Sequence, residues 1–218
     1  MKKQGVLGGL GIGLMILLGL VAFVVLLFLF TIGMNNKIVR KSTAVDGQWA
    51  NVQSVYQRRA DLIPNLVKTV EGAAGFERTT LNEVVGARAA ATQTKIETSG
   101  APDDPQQLRQ FQTAQDGLSS ALSRLLVVVE QYPDLKANKN FQELQAQLEG
   151  SENRIAVERR NYNEKVQDYN GYILQFPASF VASFRNSKAK PFFEATADAE
   201  KAPQVQFEFG KTPAATNR

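Results

Sequence analysis

From Gly5 to Phe30 the chain carries no Ser, Thr, Asn, Gln or charged side chain, and the absence of charge extends from Gln4 to Asn36. Twenty-six apolar residues at 1.5 Å per residue make a helix of about 39 Å, more than a hydrocarbon core of about 30 Å requires and about twice a signal-peptide apolar region. The pattern predicts a retained transmembrane helix over 5–33. From Val45 the apolar positions recur at alternating steps of four and three, through Val45, Trp49, Val52, Tyr56, Ile63, Leu66, Val70 and Ala73. That heptad-like, coiled-coil-like stripe resumes at Leu81, Val84 and Val85 and ends in the Ala-rich Ala87–Ala91, so the spacing predicts one helix of nearly fifty residues. Pro64 lies inside it and is expected to kink or interrupt it, with Asp61 placed to cap the restart.

Two further stripes follow a loop over 92–105. One runs Leu108, Phe111, Gln115, Leu118, Leu122, Leu125, Val129, Tyr132, with Asp104 as N-cap and Pro105 at the first helical position. After Pro133 and a turn over 134–138, the other runs Phe141, Leu144, Leu148, Ile155, Tyr162, Val166, Tyr169, Ile173, Phe176. Stripes of this spacing bury one another as an antiparallel bundle at shallow angles. Residues 178–184 predict a short amphipathic helix closing one end. Val205, Phe207 and Phe209 alternate with polar residues like a strand without a partner, able to add to a neighbouring subunit's tail, and the end after Gly210 reads as disordered. The fold class is therefore all-α: a transmembrane helix over 5–33, one helical bundle over 34–200 with a short C-terminal helix, and an extended or disordered tail over 201–218.

Composition narrows the chemistry. The chain has no Cys and no His, which removes disulfides, thiolate catalysis and the commonest general base and transition-metal ligands. No P-loop, GxSxG, HExxH or dinucleotide fingerprint is present, and the acidic pairs Asp103/Asp104 and Asp198/Glu200 lack calcium-loop spacing and read as solvated charge or caps. Neither catalytic residues, nor a metal, nor a cofactor is expected. The 25 basic residues stand against 21 acidic ones in mixed order without a basic, aromatic-interleaved run, so nucleic acid is not an expected partner. Lys2, Lys3 and the amino terminus nearly balance Lys37, Arg40 and Lys41 across the apolar run. The short Met-Lys-Lys start favours an inside N-terminus and an extracytoplasmic domain.

Three groups of residues stand out. Gly5, Gly9 and Gly13 form GxxxGxxxG, a small-residue face on which membrane helices can pack. Arg58, Arg59, Asp61, Pro64 and Asn65 form a polar cluster at the expected kink, where Arg59 falls on the seam and needs a carboxylate from a facing helix. Asp168 and Glu164 are the candidates. Tyr162, Asn163, Tyr169 and Asn170, with Tyr172, mix aromatic and amide groups on the third helix as a possible partner-binding surface, although amphipathic packing accounts for the same pattern.

The run that begins near Asn35 and continues through QWANVQSVYQRRADLIPNLVKTVEGAAGFERTTLNEVVGARAA, together with RRNYNEKVQDYNGYILQFPASFVASF, KPFFEA and the Val205–Phe209 segment, resembles the LemA family. The resemblance implies a single-pass protein of the bacterial cytoplasmic membrane with a soluble bundle of long helices, and brings no enzymatic activity to these residues. Relatives are linked to magnetosome membrane formation, others to membrane zinc metalloproteases. The leading expectation is a membrane-anchored, non-enzymatic, homo-oligomeric scaffold whose partners are the bilayer, its own copies and other membrane proteins. The alternatives are an adaptor delivering peptides or substrates to a membrane protease and, least supported, a carboxylate-dependent enzyme acting on cell-wall glycans.

Overall fold

The computed structural model describes residues 4–72, 76–94 and 100–194, with side chains from residue 15 onward. The described residues form six helices: α1 Gln4–Glu71, α2 Arg78–Gln93, α3 Pro105–Val129, α4 Pro133–Lys136, α5 Lys139–Leu174 and α6 Ala178–Phe184. Among the described residues there is no strand; the Val205–Phe209 pentad and the rest of the tail lie outside them.

α1 is continuous from the apolar run into the domain. Every side chain from Met15 to Gly33 is exposed, and burial then begins at Met34 and Ile38 and continues through Val45, Trp49, Val52 and Tyr56. The core stripe thus reaches back eleven residues before Val45, so the helix has no reason to stop between anchor and bundle.

Its other end corrects the expected fifty-residue helix. α1 stops at Glu71 and α2 starts at Arg78. The intervening sequence holds Gly72 and Gly75, each about 1 kcal/mol poorer than Ala in a helix interior. Folding back lets α2 pack against both α1 and α3, burying Leu81, Val84 and Ala91 with Ile63, Leu66, Leu118 and Leu125. A straight continuation would leave those side chains in water. Val85, placed on the stripe by spacing, is half exposed on the outer face.

Pro64 does not interrupt α1, a second correction. Proline has no N–H for the carbonyl four residues earlier, and Ala60 O is instead bonded by Arg88 Nε of α2 at 2.8 Å. Asp61 caps nothing, because the helix does not restart; it accepts a bond from Gln57 Nε2 at 2.7 Å on the exposed face.

The pairs Lys41–Asp168, Gln48–Glu158 and Arg59–Glu152 show that α5 runs antiparallel to α1. Arg88 to Ala60 and Arg124 to Glu83 set α2 antiparallel to both α1 and α3, giving an up-down-up-down four-helix bundle. Caps mark the entries: Asp104 accepts from Gln106 N at 2.8 Å beside Pro105, and Asn138 accepts from Asn140 N at 2.9 Å. α6 packs against α1 and α5 at the anchor end, where Arg185 Nη1 donates to Asn35 Oδ1 at 3.0 Å. α5 ends at Leu174, so Phe176, assigned by spacing to the third stripe, is off the helix and exposed.

The Pro64–Arg88 compensation is measurable. Arg88→Ala leaves a helix carbonyl unpaired and is expected to cost about 1–2 kcal/mol in denaturant unfolding. In a Pro64→Ala background, where residue 64 again offers an N–H to Ala60 O, the same substitution should cost no more than about half as much. Equal costs in both backgrounds would refute the assignment.

Candidate functional site: a buried arginine and a clamped strap

Arg59 is fully buried between three helices. Its Nη1 donates to Glu152 Oε1 of α5 at 2.6 Å and to Ser119 Oγ of α3 at 2.8 Å. Its Nη2 donates to Gln115 Oε1 at 2.6 Å, and Gln115 Nε2 passes the chain on to Ala91 O of α2 at 3.2 Å. The guanidinium also lies 5.2 Å from the Tyr56 ring centroid. Burial pushes the Tyr56 phenol up, against the opposing pull of Arg159 and Arg59.

The partner is thus Glu152, not Asp168 or Glu164. The antiparallel register decides this: Asp168 faces Lys41 at 3.6 Å, and Arg59 lies eighteen residues, about 27 Å of helix, further along α1. Nor does the expected polar cluster converge. Arg58, Asp61 and Asn65 are exposed and Pro64 is half-buried, leaving Arg59 alone in the seam. Gly5, Gly9 and Gly13 fall within α1, but their surroundings lie outside the described side chains.

The tyrosine–asparagine group on α5 is occupied by the chain itself. α6 ends in a Schellman motif: Asn186 takes φ 55°, its N–H bonds Ser183 O at 3.0 Å, and Ser187 N–H bonds Ala182 O at 2.9 Å. The chain then runs as an extended strap over 187–194 along α5. Asn170 Nδ2 donates to Lys190 O and Asn170 Oδ1 accepts from Lys190 N, both at 2.9 Å. Asn163 repeats the pairing with Phe193 O at 3.0 Å and Phe193 N at 2.9 Å. Seven residues of helix advance about 10.5 Å and three residues of extended chain about 10 Å, so two amides one heptad apart meet backbone three residues apart. Tyr162 Oη donates to Pro191 O at 3.3 Å, and burial, reinforced by Asp46 and Asp103, pushes that phenol well up, keeping it a donor.

Beneath the strap, Trp49 meets Phe111, Tyr162 and Phe193 at centroid distances of 5.3, 5.6 and 6.0 Å. The buried Lys190 ammonium bonds Asp103 Oδ1 at 2.7 Å and Ala101 O at 2.9 Å, with Asp46 Oδ1 at 3.6 Å. Asp46 also accepts from Ala101 N at 2.9 Å. Asp104 is the cap its position suggests, and Asp103, largely exposed as its position suggests, also pairs with Lys190. Lys190, Asp46, Glu152 and Arg88 escaped the sequence reading, since single charged residues give no periodic signal, while Gln115 stood on the second stripe without a partner assigned to it. Among the described residues, no group of three or more His, Cys, Asp or Glu is placed to hold a metal ion. A groove of about 360 Å³ between α1, α2 and α3 is lined by Gln53, Gln57, Thr92, Gln115, Tyr56 and Phe111, side chains suited to contact and lacking a charged group.

These contacts predict two outcomes. Glu152→Ala strands a buried guanidinium and should cost about 2 kcal/mol or more in chemical unfolding, against less than about 1 kcal/mol for Asp168→Ala at its exposed pair. Asn163→Ala combined with Asn170→Ala should release the strap, raising hydrogen exchange at the Lys190 and Phe193 amides while core α5 amides stay protected. Unchanged exchange at those two amides would contradict the clamp.

The sequence of this protein matches the family model described as the LemA family over residues 48–207. It is 26% identical to magnetosome proteins MamQ 1 and MamQ 2 of Paramagnetospirillum magneticum, alignments covering 73% of this chain and 64% of each relative. It is likewise 26% identical to Protein LemA of Metamycoplasma hominis, over 73% of this chain and 72% of that protein. The chain therefore spans somewhat under two thirds of the MamQ relatives. The matched residues include the Arg59 seam, all of α2 to α6 and the strap, and on that match the chain belongs to the LemA family.

Proposed function

We propose that the protein is a single-pass, non-enzymatic scaffold of the bacterial cytoplasmic membrane, which self-associates laterally and organises membrane-associated partners. The observation that carries this reading is the continuity of α1. A helix of 68 residues, about 100 Å long, joins the apolar run to the bundle core without a linker, so anchors packed in the bilayer hold their bundles side by side in fixed relation. The apolar run has the length and composition to cross a membrane. Its GxxxGxxxG glycines supply a face for close helix packing in lipid. Similarity to relatives named as magnetosome proteins and as Protein LemA is consistent with a membrane-associated role.

Delivery of peptides by the α5 tyrosine–asparagine face has less support, because the strap already fills that face. Sedimentation of the full-length protein in detergent should give an oligomer, and Gly5→Leu, Gly9→Leu and Gly13→Leu combined should shift it toward monomer. Monomer for both proteins would overturn the anchor-driven assembly.

A further inference from the structure

α6 and the turn before it expose a set of large apolar side chains at one place in the fold. Leu174 is 72% exposed, Phe176 88%, Phe180 63% and Phe184 80%. Phe180 and Phe184 are one helical turn apart with ring centroids at 4.8 Å, while Ala178 and Ala182 of the same helix are buried. α6 is therefore amphipathic, with its small residues on the bundle and its aromatic residues outward.

Its height along α1 is fixed by contacts. Arg185 bonds Asn35, and the Lys37 ammonium lies 4.9 Å from the centroid of the Tyr172 ring at the end of α5. Asn35 is five residues, about 7.5 Å, beyond Phe30, where the uninterrupted apolar run ends. A bilayer around that run places this level in the headgroup zone, which interfacial aromatic side chains favour. Charge fits the same surroundings. Residues 31–45 and 169–193 contain no Asp or Glu, and Lys37, Arg40, Arg185 and Lys188 are exposed there, a basic set suited to anionic headgroups.

We propose that α6 is a second membrane contact: its Phe180/Phe184 face, with Phe176 and Leu174, inserts into the interface of the same anionic bilayer that α1 spans, seating the bundle on the lipid surface. The inference rests on the reading of α1 as a membrane span. The bilayer is favoured over a second copy of the chain as occupant because the patch is level with the end of the apolar run and flanked by the exposed cations Lys37, Arg40, Arg185 and Lys188, with Asp103 lining the same groove as the last two.

The test uses full-length protein in vesicles of phosphatidylcholine and phosphatidylglycerol whose acyl chains are brominated near the headgroup end. Trp49 is the single native tryptophan, buried and about 21 Å along α1 from Asn35, so it gives a low background of quenching. Phe180→Trp and Phe184→Trp each should lose most of the added emission to brominated lipid and resist aqueous acrylamide. Phe23→Trp reports on the span itself. If Trp at 23 is quenched by lipid while Trp at 180 and 184 is quenched only by acrylamide, α6 stands in water and this proposal falls while the span survives. Protection from both quenchers would mean a protein partner covers the face and would equally overturn it. Absence of lipid quenching at position 23 would remove the span and the proposal together.

Discussion

Burying the Arg59 guanidinium fixes three helices at once, because a charge withdrawn from water must be met from several sides. Glu152 comes from α5, Ser119 and Gln115 from α3, and Gln115 carries the network to the Ala91 carbonyl of α2. Apolar stripes alone tolerate a slip of one heptad, since Leu, Val and Ile offer similar surfaces at each step. A guanidinium is less tolerant: slipping α3 by one heptad puts Leu108 or Leu122, which cannot accept, where Gln115 meets Arg59. The aromatic cluster around Trp49 below and the aliphatic core around Leu118 above are positioned on either side of that point.

The same economy of register governs the strap. An extended segment has no internal hydrogen bonds, so its backbone must be paired from outside. Asn163 and Asn170 act as a substitute strand edge, each offering one donor and one acceptor to the passing chain. Phe193 then completes the cage around Trp49, and Lys190 ties the α2–α3 loop to α1. A stretch after the last helix thus belongs to the core.

Periodicity made much of this legible. Val45, Trp49, Val52 and Tyr56, the α3 stripe and the cap at Asp104 are where spacing puts them, because amphipathic burial and capping are local in sequence. What escaped is non-local. Whether Val70 leads onward or back at Gly72 depends on what α3 offers to α2, and no pattern within residues 70–80 contains that information. Pro64 signals a break, yet Arg88, twenty-four residues away, bonds the carbonyl that proline leaves free. Asp168 and Glu152 are both carboxylates on α5; only the antiparallel register distinguishes them. Tyr162, Asn163, Tyr169 and Asn170 were visible as an unusual group, but the segment that occupies them shows no periodic pattern of its own.

The unbroken α1 also means that anchor and bundle share one rotational phase. Each residue turns a helix by about 100°, so the angle at which the α5 face, the strap and α6 stand around the apolar run is set by the number of residues between that run and Met34. In a protein with a flexible stalk that number is immaterial. Here it acts like the indexing of a gear on its shaft: the azimuth of every surface on the bundle is already decided by the phase of the apolar run.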